Sequence, residues 1–159
     1  MRKLWKKMKN KQGFTLMEML IVVAIIAILV IIAIPTFNSA LAKSRAATDV
    51  ANIRSGYAAA QVEAMTEGLK DKDGKDVTTV TYILQQDGSV KKSDVTNDAK
   101  PYACVGASAN AASGTTIGGR VAVGTGGLEW AKGATITYTV TETDGVFSVT
   151  IASAAAKGN

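Results

Sequence analysis

Residues 11–37 read KQGFTLMEMLIVVAIIAILVIIAIPTF and contain a long apolar run with one carboxylate near its start. From Phe14 to Phe37 the run covers 24 residues, and Glu18 carries the only charged side chain among them. A helix of that length extends about 36 Å at ~1.5 Å per residue, which is enough to cross a bilayer. An acid within such a span is costly and usually functional, so Glu18 needs an explanation.

The segment before this run is strongly basic and has no acidic residue. By the positive-inside rule, it keeps the N-terminus in the cytoplasm and sends the C-terminal part of the chain outward. A secretory signal peptide has an apolar region of about 7–15 residues and a small-residue cleavage site, whereas this run is longer and ends in Ile34-Pro35-Thr36-Phe37. We therefore expect the apolar run to be retained. The basic residues are Arg2, Lys3, Lys6, Lys7, Lys9 and Lys11.

Residues 11–18, KQGFTLME, resemble the processing motif of type IV prepilins and pseudopilins. The resemblance implies that residues 1–13 are a leader, which a membrane aspartyl peptidase removes between Gly13 and Phe14 before methylating the new amine of Phe14. It also implies that the helix at 14–37 forms the core of a helical filament, with Glu18 as the assembly carboxylate. The match extends to about Phe37, including Pro35, and covers only the general architecture beyond it.

Charge compensation independently favours an acid at position 18. A buried charge is avoided unless a partner offsets it, and the amine created at Phe14 would lie four residues away on the same helix face. The positive end of the helix dipole favours the acid there as well. In a stack of subunits, Glu18 could instead meet the amine of a neighbour. The simpler alternative is that Glu18 reaches the headgroups from a plain membrane anchor, which leaves the Gly13-Phe14 junction unexplained.

Residues 38–68 are predicted to continue the helix as an amphipathic segment. Its apolar residues recur at alternating spacings of four and three, and its charged residues lie largely elsewhere. Gly68 is predicted to end the helix. Pro35 is predicted to kink the helix or let it melt locally. Gly56 indicates a bend, close packing or a tolerated surface glycine. The apolar set is Ala46, Val50, Ile53, Tyr57, Ala60 and Ala64, and the charged set is Lys43, Arg45, Asp49, Arg54, Glu63 and Glu67.

Residues 69–159 are predicted to form a small antiparallel β-sheet head. Val77–Leu84 is rich in β-branched residues and is followed by a turn at 85–89. In 134–152, apolar residues alternate with threonines around Asp144-Gly145, which predicts a two-residue hairpin with Thr143 opposite Val146. Its apolar face should cover the helix. The predicted fold class is therefore α+β, with a long N-terminal helix, half membrane-spanning and half amphipathic, packed against a three- or four-stranded sheet.

Several other segments carry weaker signals. Residues 103–127 are rich in Ala, Gly, Ser and Thr, and only 120–123 resembles a strand. The glycines at 124–127 lack the lysine and hydroxyl of a phosphate-binding loop, so a plain loop is favoured. Residues 71–76 carry three acids around Gly74, but three interleaved lysines favour a solvated turn over a calcium site.

Composition argues against nucleic-acid binding and catalysis. The chain has 18 Lys and Arg against 13 Asp and Glu, and six of the 18 lie in the leader, which leaves 12 against 13. Such a balance lacks the basic footprint of a nucleic-acid-binding protein. The chain has no histidine, and no Cys-His, Ser-His or paired-carboxylate arrangement indicates an active site. We therefore expect neither an enzyme nor a bound metal or cofactor.

The single cysteine, Cys104, cannot form a disulfide within the chain. It is expected to be a small buried residue, with an intersubunit disulfide as the minor alternative. Many Gram-negative pilins resemble one another in having a cysteine pair, so its absence favours a Gram-positive type IV pilin or a pseudopilin.

The resemblance predicts a type IV pilin subunit that polymerises with copies of itself. It implies a prepilin peptidase, an assembly ATPase and an inner-membrane platform protein as partners. The chain would span the cytoplasmic membrane once, with its N-terminus inside, before it enters an extracellular filament. The alternatives are a pseudopilin of type II secretion or DNA uptake, and a monomeric membrane-tethered module that binds a ligand through its hairpin.

Overall fold

The computed structural model of the chain describes residues 13–94 and 99–155, so most of the predicted leader lies outside the described residues. It contains one long helix and six strands, which confirms the predicted α+β class. Contacts divide the chain into two compact units, which meet between Asn38 and Ser39. The elements are α1 (Leu16–Glu67), β1 (Thr79–Leu84), β2 (Val90–Lys92), a 3-10 helix (Ala109–Ala112), β3 (Thr116–Ile117), β4 (Val121–Ala122), β5 (Thr135–Thr143) and β6 (Val146–Ala154).

Helix α1 begins at Leu16, two residues later than the sequence predicted, because Thr15 caps it. It ends at Glu67, and Gly68 has a φ of 71°, so the predicted stop is confirmed. The helix runs through Pro35 without interruption, and the hydroxyl of Thr36 donates to the carbonyl oxygen of Ile32 at 3.3 Å. The kink expected at Pro35 stays a prediction.

In the first unit, the apolar side chains of α1 lie exposed. Leu16 is 82% exposed and Ile31 is 72% exposed, and no residue between them is buried. Among the described residues, α1 contains one stretch long and apolar enough to cross a membrane, judged by length and composition. An isolated subunit in water would expose this surface, so it requires lipid or other apolar surfaces around it.

In the second unit, four antiparallel strands form a sheet in the order β2-β1-β5-β6. The hairpin of β5 and β6 has the predicted register, from Thr143 opposite Val146 to Tyr138 opposite Ile151. Its turn residues Asp144 and Gly145 have φ values of 51° and 75°, as a two-residue turn that follows the strand twist requires. The turn after β1 and the strand β2 are also confirmed.

One face of the sheet packs on α1, as predicted. Ile136, Tyr138 and Val140 of β5 are fully buried, and the Tyr138 hydroxyl donates to the carbonyl oxygen of Ile53 at 2.9 Å. Gly56 lies directly beneath this face, where an added Cβ would come within 2.6 Å of Leu84 Cδ1. Of the three interpretations of Gly56, close packing is therefore the correct one.

The segment at 103–127 is held by contacts with α1 rather than by regular structure. Its strands β3 and β4 pair over two residues each, and the predicted strand at 120–123 is shortened to Val121–Ala122. The carbonyl oxygen of Thr116 accepts from Nε and Nη2 of Arg54, at 3.2 and 2.8 Å. Cys104 is 2% exposed, as predicted, and burial raises the pKa of its thiol to about 12.

The acidic segment at 71–76 forms the predicted turn. Oδ1 of Asp71 accepts from the backbone N–H groups of Asp73 and Lys75, at 3.0 and 2.9 Å. Gly74 has a φ of 79° and donates to the carbonyl oxygen of Asp71. The Asp71 carboxylate therefore closes the turn between α1 and β1.

Candidate functional site

The predicted cleavage junction lies outside regular structure. Gly13, Phe14 and Thr15 precede the first turn of α1 and are exposed. A Cβ added at Gly13 would meet no atom within 4 Å, so nothing in the described chain covers this position. The junction is therefore free to adopt the extended conformation that peptidases commonly bind.

Glu18 and Thr15 cap the start of α1 reciprocally. The backbone N–H of Thr15 donates to Oε2 of Glu18 at 2.8 Å, and the Thr15 hydroxyl donates to the same oxygen at 2.8 Å. The backbone N–H of Glu18 in turn donates to the hydroxyl oxygen of Thr15 at 3.2 Å. This is the arrangement of a capping box, in which side chains satisfy backbone groups that a helix start leaves open.

The capping box holds the Glu18 carboxylate at the positive end of the helix dipole. It gives the acid two donors within its own chain, which reduces the cost of an anion next to lipid. The structure thus brings Gly13, Phe14 and Glu18 together at one helix end, whereas Pro35 lies far along α1. The predicted pairing of Glu18 with the Phe14 amine belongs to the cleaved chain and stays a prediction.

A second cluster of polar groups, around Asp49 of α1, was missed by the sequence analysis. The sequence pattern places Asp49 among the charged residues that lie largely away from the apolar positions, but Asp49 is fully buried. The spacing of the apolar residues could have placed it correctly, because position 49 follows Ala46 by three residues and precedes Ile53 by four. A charged residue on an apolar stripe indicates a buried partner, but it does not identify that partner.

Four donors converge on the Asp49 carboxylate. Oδ1 accepts from the Tyr102 hydroxyl at 2.7 Å and from the backbone N–H of Val105 at 2.9 Å. Oδ2 accepts from the backbone N–H of Gly106 at 2.7 Å and from the indole N–H of Trp130 at 3.0 Å. A buried anion is stable only when donors fill its lone pairs, and these four do so.

The Asp49 cluster joins two segments of the second unit, residues 102–106 and Trp130, to α1. At Gly106 the chain passes so close that an added Cβ would lie 2.7 Å from Oδ2 of Asp49 and 3.3 Å from Cα of Ala46. Burial and the hydrogen bond to Asp49 raise the pKa of Tyr102 to about 12, so its hydroxyl keeps its proton at neutral pH. These contacts fix the irregular segment after β2 onto the helix.

The described residues contain no group of three or more Asp, Glu, Cys or His side chains placed to hold a metal ion. Asp49 faces neutral donors, and the Glu18 carboxylate is engaged with Thr15.

Comparison with known proteins matches the N-terminal part of the chain to one family. The model of the prokaryotic N-terminal methylation motif matches residues 8–34. Fimbrial protein Q of Moraxella bovis is 40% identical over 68 residues, which cover 43% of each chain. A type IV major fimbrial protein FimA of Dichelobacter nodosus is 37% identical over 93 residues, 58% of this chain and 57% of that protein.

The chain thus spans about half the length of the relatives it matches. No solved structure matches it. The Gram-positive assignment gains no support from these relatives. The methylation motif at residues 8–34 and the two fimbrial relatives show that the chain is similar to type IV prepilins.

Proposed function

We propose that this chain is a structural subunit of a type IV pilus, cleaved after Gly13 and polymerised through α1. One observation carries the proposal: an exposed Gly13-Phe14 junction directly precedes a capped carboxylate at the head of an exposed apolar helix. The names of the matched relatives favour a pilus subunit over a secretion or DNA-uptake pseudopilin.

The apolar surface of α1 accounts for both states of the subunit. Before assembly, lipid surrounds it in the cytoplasmic membrane, with the basic leader on the cytoplasmic side. After cleavage, the same surface packs against the helices of neighbouring subunits, and the head of each subunit faces solvent outside the cell. The adhesion or motility of such a filament is a property of the assembly.

Glu18 supplies the specific contact in this otherwise apolar packing. Apolar helices slide past one another with little preference for register, whereas a desolvated ion pair has one favourable position. The Thr15 donors hold Glu18 in the free subunit, and the methylated amine of a neighbour replaces or joins them in the filament. Processing by a prepilin peptidase and extraction by an ATPase and a platform protein complete the proposed pathway.

Replacing the carboxylate tests this function. Glu18→Ala should leave membrane insertion intact, because the apolar span is kept, and should lower filament yield about tenfold or more through loss of a desolvated ion pair. Filaments sheared from cells and membrane-bound subunits are quantified side by side. Glu67→Ala is the matched control, since it removes an exposed acid at the other end of α1 and should leave the yield unchanged. Normal filament yield with Glu18→Ala contradicts the proposal.

A further inference from the structure

Strand β6 forms one edge of the sheet and lacks the usual protection of an edge strand. It is nine residues long, reads VFSVTIASA and contains no charge, proline or glycine. Natural proteins usually block such edges with charges, prolines, bulges or covering loops, because an open edge pairs with another strand. An unblocked edge of this length therefore indicates a strand partner.

The ladder between β5 and β6 shows which backbone groups point outward. The backbone N–H of Glu142 donates to the carbonyl oxygen of Thr78 at 2.9 Å, so it points away from β6. Hydrogen-bonded and non-hydrogen-bonded pairs alternate in an antiparallel ladder, and Glu142 and Phe147 form a non-hydrogen-bonded pair. The backbone N–H and C=O of Phe147 therefore point to the open side of β6. The same holds for Val149 and Ile151, each two residues further on.

The open part of the edge ends at Ser153. The Ser153 hydroxyl donates to the carbonyl oxygen of Glu129, and residues 151–153 and the loop at 126–129 together line a cleft of about 530 Å³. Across the described residues, no backbone hydrogen bond outside the ladder involves Phe147, Val149 or Ile151. The free edge thus runs from Phe147 to Ile151 and is centred on Val149.

We propose that this free edge pairs antiparallel with β6 of a second copy of the chain, with Val149 opposite Val149. Phe147 of each copy then faces Ile151 of the other, and each of the three outward-facing pairs exchanges two backbone hydrogen bonds, about six in all. A continuous sheet of two heads results.

The sequence of the edge is self-complementary in this register. Phe147, Val149 and Ile151 are half-buried on the helix side of the sheet, where the partner's identical side chains would cover them. On the other side, Ser148 meets Thr150, a hydroxyl pair typical of neighbouring strands. No charge in β6 opposes the contact. Strand β2 at the opposite edge is a poorer partner, because it has only three residues, two of which are lysines.

This inference rests on the proposed function, because it assigns the contact to two neighbouring filaments. A twofold contact joins identical surfaces, whereas the subunits of one polar filament meet head to tail. Pairing through β6 therefore joins heads of two neighbouring filaments and bundles the filaments laterally. Many weak contacts along the filaments add up to a stable bundle.

Charge substitutions at the centre of the contact test the proposal. Val149→Lys or Val149→Glu places two like charges directly opposite each other, so each variant should form filaments but lose about tenfold or more of its bundles. Mixing filaments of the two variants should restore bundling, because opposite charges then face each other. Ala152→Lys adds the same charge on the exposed face of β6, opposite the partner's Val146, and should still bundle. Bundle width is measured by electron microscopy and the bundled fraction by low-speed sedimentation.

The outcomes separate the two proposals. Three outcomes overturn the β6 contact and leave the pilus assignment in place. They are wild-type filaments that never bundle, single Val149 variants that still bundle, and a mixture of the two variants that does not regain bundles. Absence of filaments from the wild-type chain overturns the pilus assignment.

A second measurement does not need filaments. In a Cys104→Ser background, two copies of the detergent-solubilised Val149→Cys chain should form a disulfide between their substituted positions. Lack of that disulfide under oxidising conditions also contradicts the contact.

Discussion

At the scale of single residues, two carboxylates on α1 have opposite roles. Glu18 lies exposed at the start of the helix, where Thr15 holds it within the chain, and it is available to a neighbouring subunit. Asp49 is completely enclosed, and its four donors leave no room for an outside partner. The sequence singles out Glu18 because an acid in an apolar run has few explanations, and the role of Glu18 in assembly stays a prediction. The sequence did not predict the role of Asp49, because all four of its donors come from more than fifty residues away.

Asp49→Asn should destabilise the second unit. An amide has one acceptor oxygen instead of two and turns an NH2 group toward two of the four donors, which leaves buried donors unpaired. We expect a loss of roughly 2–4 kcal/mol in the free energy of unfolding. Urea unfolding of the detergent-solubilised chain, followed by tryptophan fluorescence, measures it. Asp73→Asn, an exposed acid in the turn after α1, should stay within about 0.5 kcal/mol of the parent. Equal stability of the two variants contradicts the role of Asp49.

Buried tyrosine and thiol groups predict the pH dependence of stability. Burial raises the pKa of Tyr102 and of Cys104 to about 12, from ordinary values of 10.0 and 9.0, and also raises the pKa of Tyr138. The unfolded chain loses these protons at lower pH than the folded chain, so stability is full below about pH 9 and falls as the pH rises toward 12. Tyr102→Phe should flatten part of this fall. A free energy of unfolding that stays constant from pH 9 to 12 contradicts the prediction.

At the scale of elements, the sequence predicted what periodicity and turn chemistry determine. The β5–β6 register followed from Asp144-Gly145 and a period of two, and the end of α1 followed from Gly68. Strand β3 was missed, and β4 was predicted one residue too long at each end. Their segment has no period, and it is positioned by distant contacts such as Arg54 with the carbonyl oxygen of Thr116. Side chains on α1 determine the path of this segment, and no pattern within the segment itself predicts these contacts.

The packing of α1 against the sheet depends on the missing side chain at Gly56. Gly56→Ala raises helix propensity by about 1 kcal/mol, but the new methyl group would overlap Leu84 and the Tyr138 hydroxyl. Overpacking of this kind costs about 1–3 kcal/mol, so we expect a net loss of stability. Ser55→Ala at the neighbouring exposed position should be neutral or slightly stabilising. Thermal unfolding compares the two variants, and a Gly56→Ala chain more stable than its parent contradicts the packing described.

At the scale of the whole molecule, the two compact units have different requirements. The first exposes its apolar side chains, whereas the second encloses an apolar core of its own. A chain with this division suits a subunit that leaves a membrane and enters a filament. In the proposed pathway, cleavage between Gly13 and Phe14 connects the membrane state with the filament state, because it removes the basic leader and creates the amine that the proposed Glu18 contact requires.

The N-terminal mass of the protein in filaments sheared from cells tests this account most directly. We expect a chain that begins at Phe14 and carries one added methyl group on its amine, recovered in the sheared fraction. Gly13→Leu should leave the chain uncut in the membrane, and Gly13→Ala serves as the conservative comparison. Recovery of the wild-type chain only with residues 1–13 attached, and only in the membrane, would contradict the account and favour a membrane-tethered binding module.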